Sequence, residues 1–199
     1  MTRAAAAGGG ADLQVHPVDA SRWKDLETLF GANGACAGCW CMYWRLPTRQ
    51  FNEQSRDHGP ANRAALQALV RDGACPGLIA YAGTEPVGWV ALAPRSAYPR
   101  LDRSRVLKPV DDRPVWSISC FFVRRGWRHK GVSTVLLRAA VAYATGAGVA
   151  CIEAYPTDRD GRTGDPFVFT GLASTFRAAG FGEVARRSPT RPIMRLELG

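Results

Sequence analysis

Apolar residues recur along this chain at two different periods. From Leu13 to Val18 they alternate with polar ones, the spacing of a strand with one buried face. Asp19 or Ser21 can cap the helix that follows, where Trp23, Leu26, Leu29 and Phe30 share a face that stops near Gly31 or Gly34. A second helix opens at Pro60 and carries Ala64, Leu66, Leu69 and Val70 as far as Gly73. Leu78–Tyr81 and Val87–Leu92 flank the turn residues Gly83-Thr84-Glu85-Pro86 and read as a hairpin. Val115–Val123 is apolar, aromatic and β-branched, as a buried strand is.

The helical period returns at Val132, Val135, Leu136, Ala139, Ala140 and Tyr143, and ends at Gly146 and Gly148. Ala150–Tyr155 is a further strand, stopped by Pro156. Leu172–Ala179 is a short helix stopped by Gly180, and Phe181–Ala185 and Ile193–Leu198 are the last two strands. The predicted order is β, α, α, β, β, β, α, β, α, β, β, an α/β domain. Three long connections interrupt it: Ala35–Gly59, Pro94–Pro114 and Thr157–Phe169. Connections of this length are commonly functional.

Composition narrows the class without naming it. With 199 residues, 46% hydrophobic and 22% charged, the chain suits one soluble domain with one core. Residues 12–199 are expected to form that domain, and residues 1–11, with Ala4–Ala7 and Gly8–Gly10, a disordered tail. That tail lacks the charged and apolar regions of a signal peptide, and no run is long enough to span a bilayer, so a cytoplasmic location is expected. The net charge of +9 points to an anionic partner. The basic residues are scattered without interleaved aromatics, which argues against nucleic acid. The C-terminal arginines Arg186, Arg187, Arg191 and Arg195 read as solvated strand-edge charge.

Between the strand ending at Val123 and the helix opening near Val132 lies a basic loop containing Arg124, Arg125, Arg128, Lys130 and Gly131. Strand, glycine loop and helix N-terminus together make an anion site. The amides of the first helical turn are unpaired, the helix dipole favours negative charge, and glycine lets a phosphate approach the backbone. The loop is neither a Walker loop nor a dinucleotide-binding fingerprint. Arg128-His129-Lys130-Gly131-Val132-Ser133, with Val123 upstream, resembles the acyl-CoA signature of the GCN5-related N-acetyltransferases, Arg/Gln-x-x-Gly-x-Gly/Ala. The last position is Ser instead of Gly or Ala. Glu153-Ala154-Tyr155-Pro156-Thr157-Asp158 and Phe176-Arg177-Ala178-Ala179-Gly180-Phe181 resemble two further stretches of that family, and the element order agrees from about Leu13 onward.

The resemblance implies a mixed, mostly antiparallel sheet flanked by helices and splayed between its fourth and fifth strands. It implies that the backbone of Phe121, Phe122 and Val123 pairs with the pantetheine arm of acetyl-CoA. The amides of Arg128, His129, Lys130, Gly131, Val132, Ser133 and Thr134 would hold the pyrophosphate. An acceptor amine would then attack the thioester directly, its proton passing to a base or a water chain. Ser117 and Ser119 stand where similar enzymes carry carboxylates or histidines; as hydroxyls they can order a water but are weak bases. Glu153 and Asp158 are the acidic alternatives. Phe176 replaces a Tyr that in many relatives protonates the leaving thiolate, and Phe cannot donate a proton. Tyr155, Tyr43, a water or unaided departure remain.

The stretch Cys36-Ala37-Gly38-Cys39-Trp40-Cys41-Met42-Tyr43-Trp44-Arg45 is open to two readings. Its aromatics either pack beneath a long loop or, as the family's corresponding segment implies, wall an acceptor site from Trp40, Tyr43 and Trp44. Arg45 would then pair with an acceptor carboxylate or phosphate. Three closely spaced cysteines fall short of a four-ligand zinc site, so no metal is expected; structural disulfides are not expected in a cytoplasmic chain, and a redox pair of Cys36 and Cys39 stays open. The reading is an N-acetyltransferase that uses acetyl-CoA and acetylates a small-molecule amine, without nucleic-acid or membrane partners and with a homodimer left open. A non-catalytic acyl-CoA-binding domain is the alternative.

Overall fold

A computed structural model describes residues 12–158 and 169–199. Seven strands form one sheet in the order β1-β2-β3-β4-β5-β7-β6, with β1 Leu13–Pro17, β2 Gly77–Ala82, β3 Glu85–Pro94, β4 Trp116–Val123, β5 Cys151–Ala154, β6 Gly182–Arg186 and β7 Pro192–Glu197. Only β4 and β5 run parallel; every other neighbouring pair is antiparallel. The predicted strands and the three longer helices are all present, each within a few residues of its expected bounds. The long connections hold short helices that the apolar pattern did not signal, α2 Thr48–Gln54 and α4 Pro99–Asp102, beside α1 Trp23–Phe30, α3 Pro60–Arg71, α5 Val132–Gly146 and α6 Ala173–Ala178. The expected N-terminal tail and most of the Thr157–Phe169 insertion, with Asp160 and Asp165, lie outside the described residues.

Side-chain alternation along the strands builds two large cores, and a smaller cluster gathers Trp44, Tyr98 and Tyr155. Leu78, Ala80, Val90 and Leu92 face α5 together with Leu136, Leu137, Ala140 and Ala144. Ile79, Tyr81, Trp89 and Ala91 face α1 and α3, meeting Leu26, Phe30, Leu66 and Val70. Leu26 is wholly buried, and burial of such a side chain stabilises by roughly 1.5–3 kcal/mol. Helix α5 lies close to β3 because Gly88 has no side chain: a Cβ there would stand 2.6 Å from Cγ1 of Val132.

Two irregularities in β4 shape the region of interest. Ala91 pairs with Cys120 but Leu92 pairs with Ile118, so Ser119 is an extra, bulged residue. Pairing with β5 covers Trp116, Ser117 and Ile118 only, and β4 continues alone to Val123. The sheet therefore opens beyond Ile118, between the fourth and fifth strands.

Candidate active site

The strand that leaves the sheet runs directly into the anion loop. Arg125–Trp127 form one turn of 3-10 helix, Arg128 is extended, and Gly131 caps α5 at φ 77°. That left-handed conformation costs glycine nothing. A Cβ at Gly131 would meet nothing within 4 Å, so the space in front of the helix is open. No side chain caps α5 and its first turn carries no acidic residue. The helix dipole and the amides at the start of α5 thus face outward beside Arg128, His129 and Lys130, an arrangement suited to a pyrophosphate. The Thr134 N–H, expected among the phosphate donors, already donates to the Gly131 carbonyl at 3.0 Å, and the Arg128 N–H to the Arg125 carbonyl at 3.4 Å. His129 also has a left-handed backbone, φ 61°, and the Lys130 ammonium lies 5.1 Å from the Trp127 ring centre. Arg128 Nε donates to the Val123 carbonyl at 3.2 Å, tying the loop to the end of β4. Val132 is buried and Ser133 and Thr134 half-buried at the start of the helix.

Within the opening, the N–H of Phe121 donates to the Phe169 carbonyl at 2.5 Å. The chain entering at Phe169 then follows β5 outward: Thr157 bridges Leu172 in parallel, and its N–H donates to the Gly171 carbonyl at 2.8 Å. In this structure, then, the backbone group expected to meet the pantetheine arm at Phe121 is paired internally. The carbonyl end of Val123 meets Arg128, and Phe122 turns its ring onto Phe30.

The two carboxylates put forward as bases are both committed. Glu153 is 0% exposed; its Oε1 accepts from Arg95 Nη1 at 2.6 Å and from the Tyr155 hydroxyl at 2.7 Å, and its Oε2 from Arg195 Nε at 2.8 Å. Arg95 also reaches Asp102, and Arg195 grips Asp111 with both terminal nitrogens. A carboxylate neutralised by two buried arginines anchors the sheet and is poorly placed to take a proton from an acceptor. Arg195, expected as solvated edge charge, is instead a buried member of this network, its side chain 8% exposed. Asp158 receives Arg177 and Arg186. Those hydrogen bonds hold its carboxyl below the usual range, which weakens it as a base.

The serines lie on the face of β4 opposite α5. Ser117 Oγ shares a 2.8 Å hydrogen bond with the Tyr155 hydroxyl. Burial, and then the charge of Glu153, push the Tyr155 phenol well above its ordinary range. Ser119, at the bulge, faces the hydroxyl of Tyr98, which is fully buried yet makes no hydrogen bond of normal geometry. Tyr98 went unremarked in sequence because it sits in the polar Pro94–Pro114 connection. Phe176 is core, edge-on to Phe121 and Phe181.

The aromatic loop divides in two. Trp40 is a core residue, stacked on Trp23 at 6.2 Å, with Nε1 donating to the His58 carbonyl. Trp44 and its neighbours lie against the Ser119 bulge and Tyr98. Trp44 Nε1 donates to the Ser119 carbonyl at 3.1 Å, the Tyr43 ring lies edge-on to Trp44 and Phe169, and the Arg45 guanidinium stacks 4.7 Å above the Tyr98 ring. Arg100, not singled out in sequence, covers the Tyr43 ring at 3.9 Å. An open depression of about 290 Å³ lies elsewhere, lined by Glu27, Trp40, Asp57, His58 and Arg63. Among the described residues, no cluster of three or more His, Cys, Asp or Glu is arranged to hold a metal, and no helix is long and apolar enough to cross a membrane.

Comparison with known proteins decides the family. Residues 38–162 match the model of the acetyltransferase (GNAT) family, spanning the aromatic loop, β4, the anion loop and β5. The chain belongs to the GNAT family of acetyltransferases. Solved GNAT structures share its fold at low identity. The PaiA N-acetyltransferase of Thermoplasma acidophilum, determined with coenzyme A, superposes with a TM-score of 0.51 at 12% identity, over 93% of this chain and 98% of that one. A GNAT acetyltransferase of Streptococcus pneumoniae gives 0.54 at 10%, over 94% and 99%. A chain of the NatC complex bound to Gag peptide and CoA gives 0.50 at 11%, over 94% and 99%. No curated protein matches the sequence.

Proposed function

We propose that this GNAT protein transfers the acetyl group of acetyl-CoA to the amine of a small molecule by direct attack on the thioester. The observation that carries the reading is the opening of the sheet beyond Ile118, leading straight into the uncapped, basic N-terminus of α5. The amides from His129 to Ser133 would bind the pyrophosphate and β4 from Phe121 to Val123 the pantetheine arm. Binding then requires the Phe169 carbonyl to release the Phe121 N–H. The new N–C bond forms as the C–S bond breaks. The amine's proton passes to a water that enters with the acceptor, and the thiolate leaves unaided, since Phe176 has no proton and Tyr155 is tied to Glu153 and Ser117.

Tyr43, Trp44 and Arg45 would wall the acceptor. Arg45 has no carboxylate partner among the described residues, which favours an amine that also carries a carboxylate or phosphate. Cytoplasmic action without nucleic-acid or membrane partners belongs to the same proposal. The test is a panel of amines, each with and without an anionic group, followed by release of free CoA thiol. Turnover of an anionic amine, with its KM raised at least tenfold in Arg45→Ala, supports the reading; acetyl-CoA binding without turnover of any amine would favour the non-catalytic alternative, to which the two committed carboxylates lend weight.

A further inference from the structure

The cysteine motif is not absorbed by acetyl transfer, and the structure gives it a different pairing from the one its spacing suggested. Cys41 Sγ lies 3.5 Å from Cys120 Sγ, joining positions 79 residues apart. Among the described residues no other pair of thiols is in contact, and all six cysteines are free. Cys120 adjoins the Ser119 bulge, which brings it to the same face of β4 as Ser119. Cys41 is turned onto that face by left-handed backbone at Trp40 and Cys41, φ 43° and 49°. Its sulfur is fixed there by the Trp89 indole N–H at 3.1 Å. Trp89 is wholly buried, so this contact is held by the core.

We propose that Cys41 and Cys120 form a reversible dithiol–disulfide modification site that staples the aromatic loop to the bulge of β4. Two sulfurs in contact need to close by only about 1.5 Å to reach bonding distance, an adjustment on the scale of side-chain torsion. A hydroperoxide is the oxidant class that suits a thiol pair reached from a partly open strand. One thiol, as its thiolate, attacks the terminal oxygen of the peroxide: an S–O bond forms, the O–O bond breaks, and the other oxygen leaves with the thiol's proton, as water from hydrogen peroxide or as an alcohol from an organic hydroperoxide. The second thiol attacks that sulfenic sulfur, the S–S bond forms, and the S–O bond breaks to release water. The pair loses two electrons and the hydroperoxide gains them. Hydrogen bonding to Cys41 and burial push the Cys120 thiol well above its ordinary range. Burial and Cys41 hold the Cys39 thiol up to about 12, which leaves the exposed Cys36 as an internal reference for simple surface oxidation.

The experiment treats reduced full-length protein with hydrogen peroxide, blocks remaining thiols with N-ethylmaleimide, and maps linked peptides by mass spectrometry. The expected result is a Cys41–Cys120 link, loss of two blockable thiols, a melting temperature several degrees higher, and full reversal by dithiothreitol. Cys120→Ser should lose both the link and the temperature rise. Failure of that variant to fold leaves the wild-type peptide map and melting curve to decide the matter. A link through Cys36 or Cys39, stable oxidation of Cys120 with no link, no link once Cys36 is oxidised, or a linked protein that melts no higher would each overturn the proposal. Mass and melting are read without acetyl-CoA, so an inactive protein would count against the acetyltransferase reading and not against this site.

Discussion

Replacing Glu153 by Gln separates a structural carboxylate from a catalytic one. Glu153 is fully buried and accepts from Arg95, Arg195 and Tyr155. Gln keeps the shape but removes the charge, and its amide group turns two hydrogens toward groups that are themselves donors. Breaking a buried ion pair by changing one partner costs roughly 3–5 kcal/mol. Arg95 keeps Asp102 and Arg195 keeps Asp111, both close to half-exposed, which places the loss near the lower figure, about 3 kcal/mol. In a chain of this length each kcal/mol moves the midpoint by about 2–4 °C, so the melting temperature should fall by roughly 6–12 °C. Urea unfolding should show a lower midpoint at unchanged slope. Acetyl transfer by the folded variant, assayed well below its midpoint, should stay within about threefold of wild type, since Glu153 contacts only protein groups. A variant that melts within 2 °C of wild type yet loses transfer a hundredfold would refute this reasoning and return Glu153 to the role of base.

Three further outcomes follow from the same geometry. Arg195 donates hydrogen bonds that lower the Asp111 carboxyl to about 2. Because this folded value lies below the unfolded one near 3.9, the contribution is complete above about pH 4 and is lost as pH falls toward 2; melting curves should show that loss, and Asp111→Asn should flatten it. Trp40→Ala should destabilise by about 3–5 kcal/mol while leaving the acceptor KM unchanged at low temperature, because Trp40 packs on Trp23 and Phe30 away from Ser119; a selective rise in KM would contradict that. Gly88→Val should destabilise by about 1–3 kcal/mol in urea unfolding, as its side chain meets Val132 and Leu136, and an unchanged midpoint would show that α5 can retreat.

The elements were legible because core-facing residues repeat at the helix period, as Leu26, Leu29 and Phe30 do on α1, or run unbroken through a strand buried on both faces, as Leu78 to Tyr81 do on β2. Helix α2 was missed because none of its residues is buried, so no apolar stripe marks it. The anion loop was legible since it depends on one glycine and on chain order alone. The rest of the site depends on long-range pairing that a linear pattern does not carry. Nothing local tells that Glu153 meets Arg95 and Arg195, or that Trp40 turns inward while Trp44, four residues on, reaches Ser119. The bulge at Ser119 had no marker either, since Ser-Ile-Ser-Cys alternates as an ordinary strand does.

Thermal melting of wild type and Gly131→Asp with acetyl-CoA tests the central claim most directly. Aspartate tolerates the left-handed backbone at this position better than most residues, and the space beyond it is open, so the variant should fold. At about 100 times its dissociation constant, acetyl-CoA should add about 2.7 kcal/mol to wild type, roughly 5–11 °C. The carboxylate of Gly131→Asp, set where the pyrophosphate binds, should abolish that rise. A wild-type protein unmoved by acetyl-CoA, or a variant that responds equally, would contradict the account.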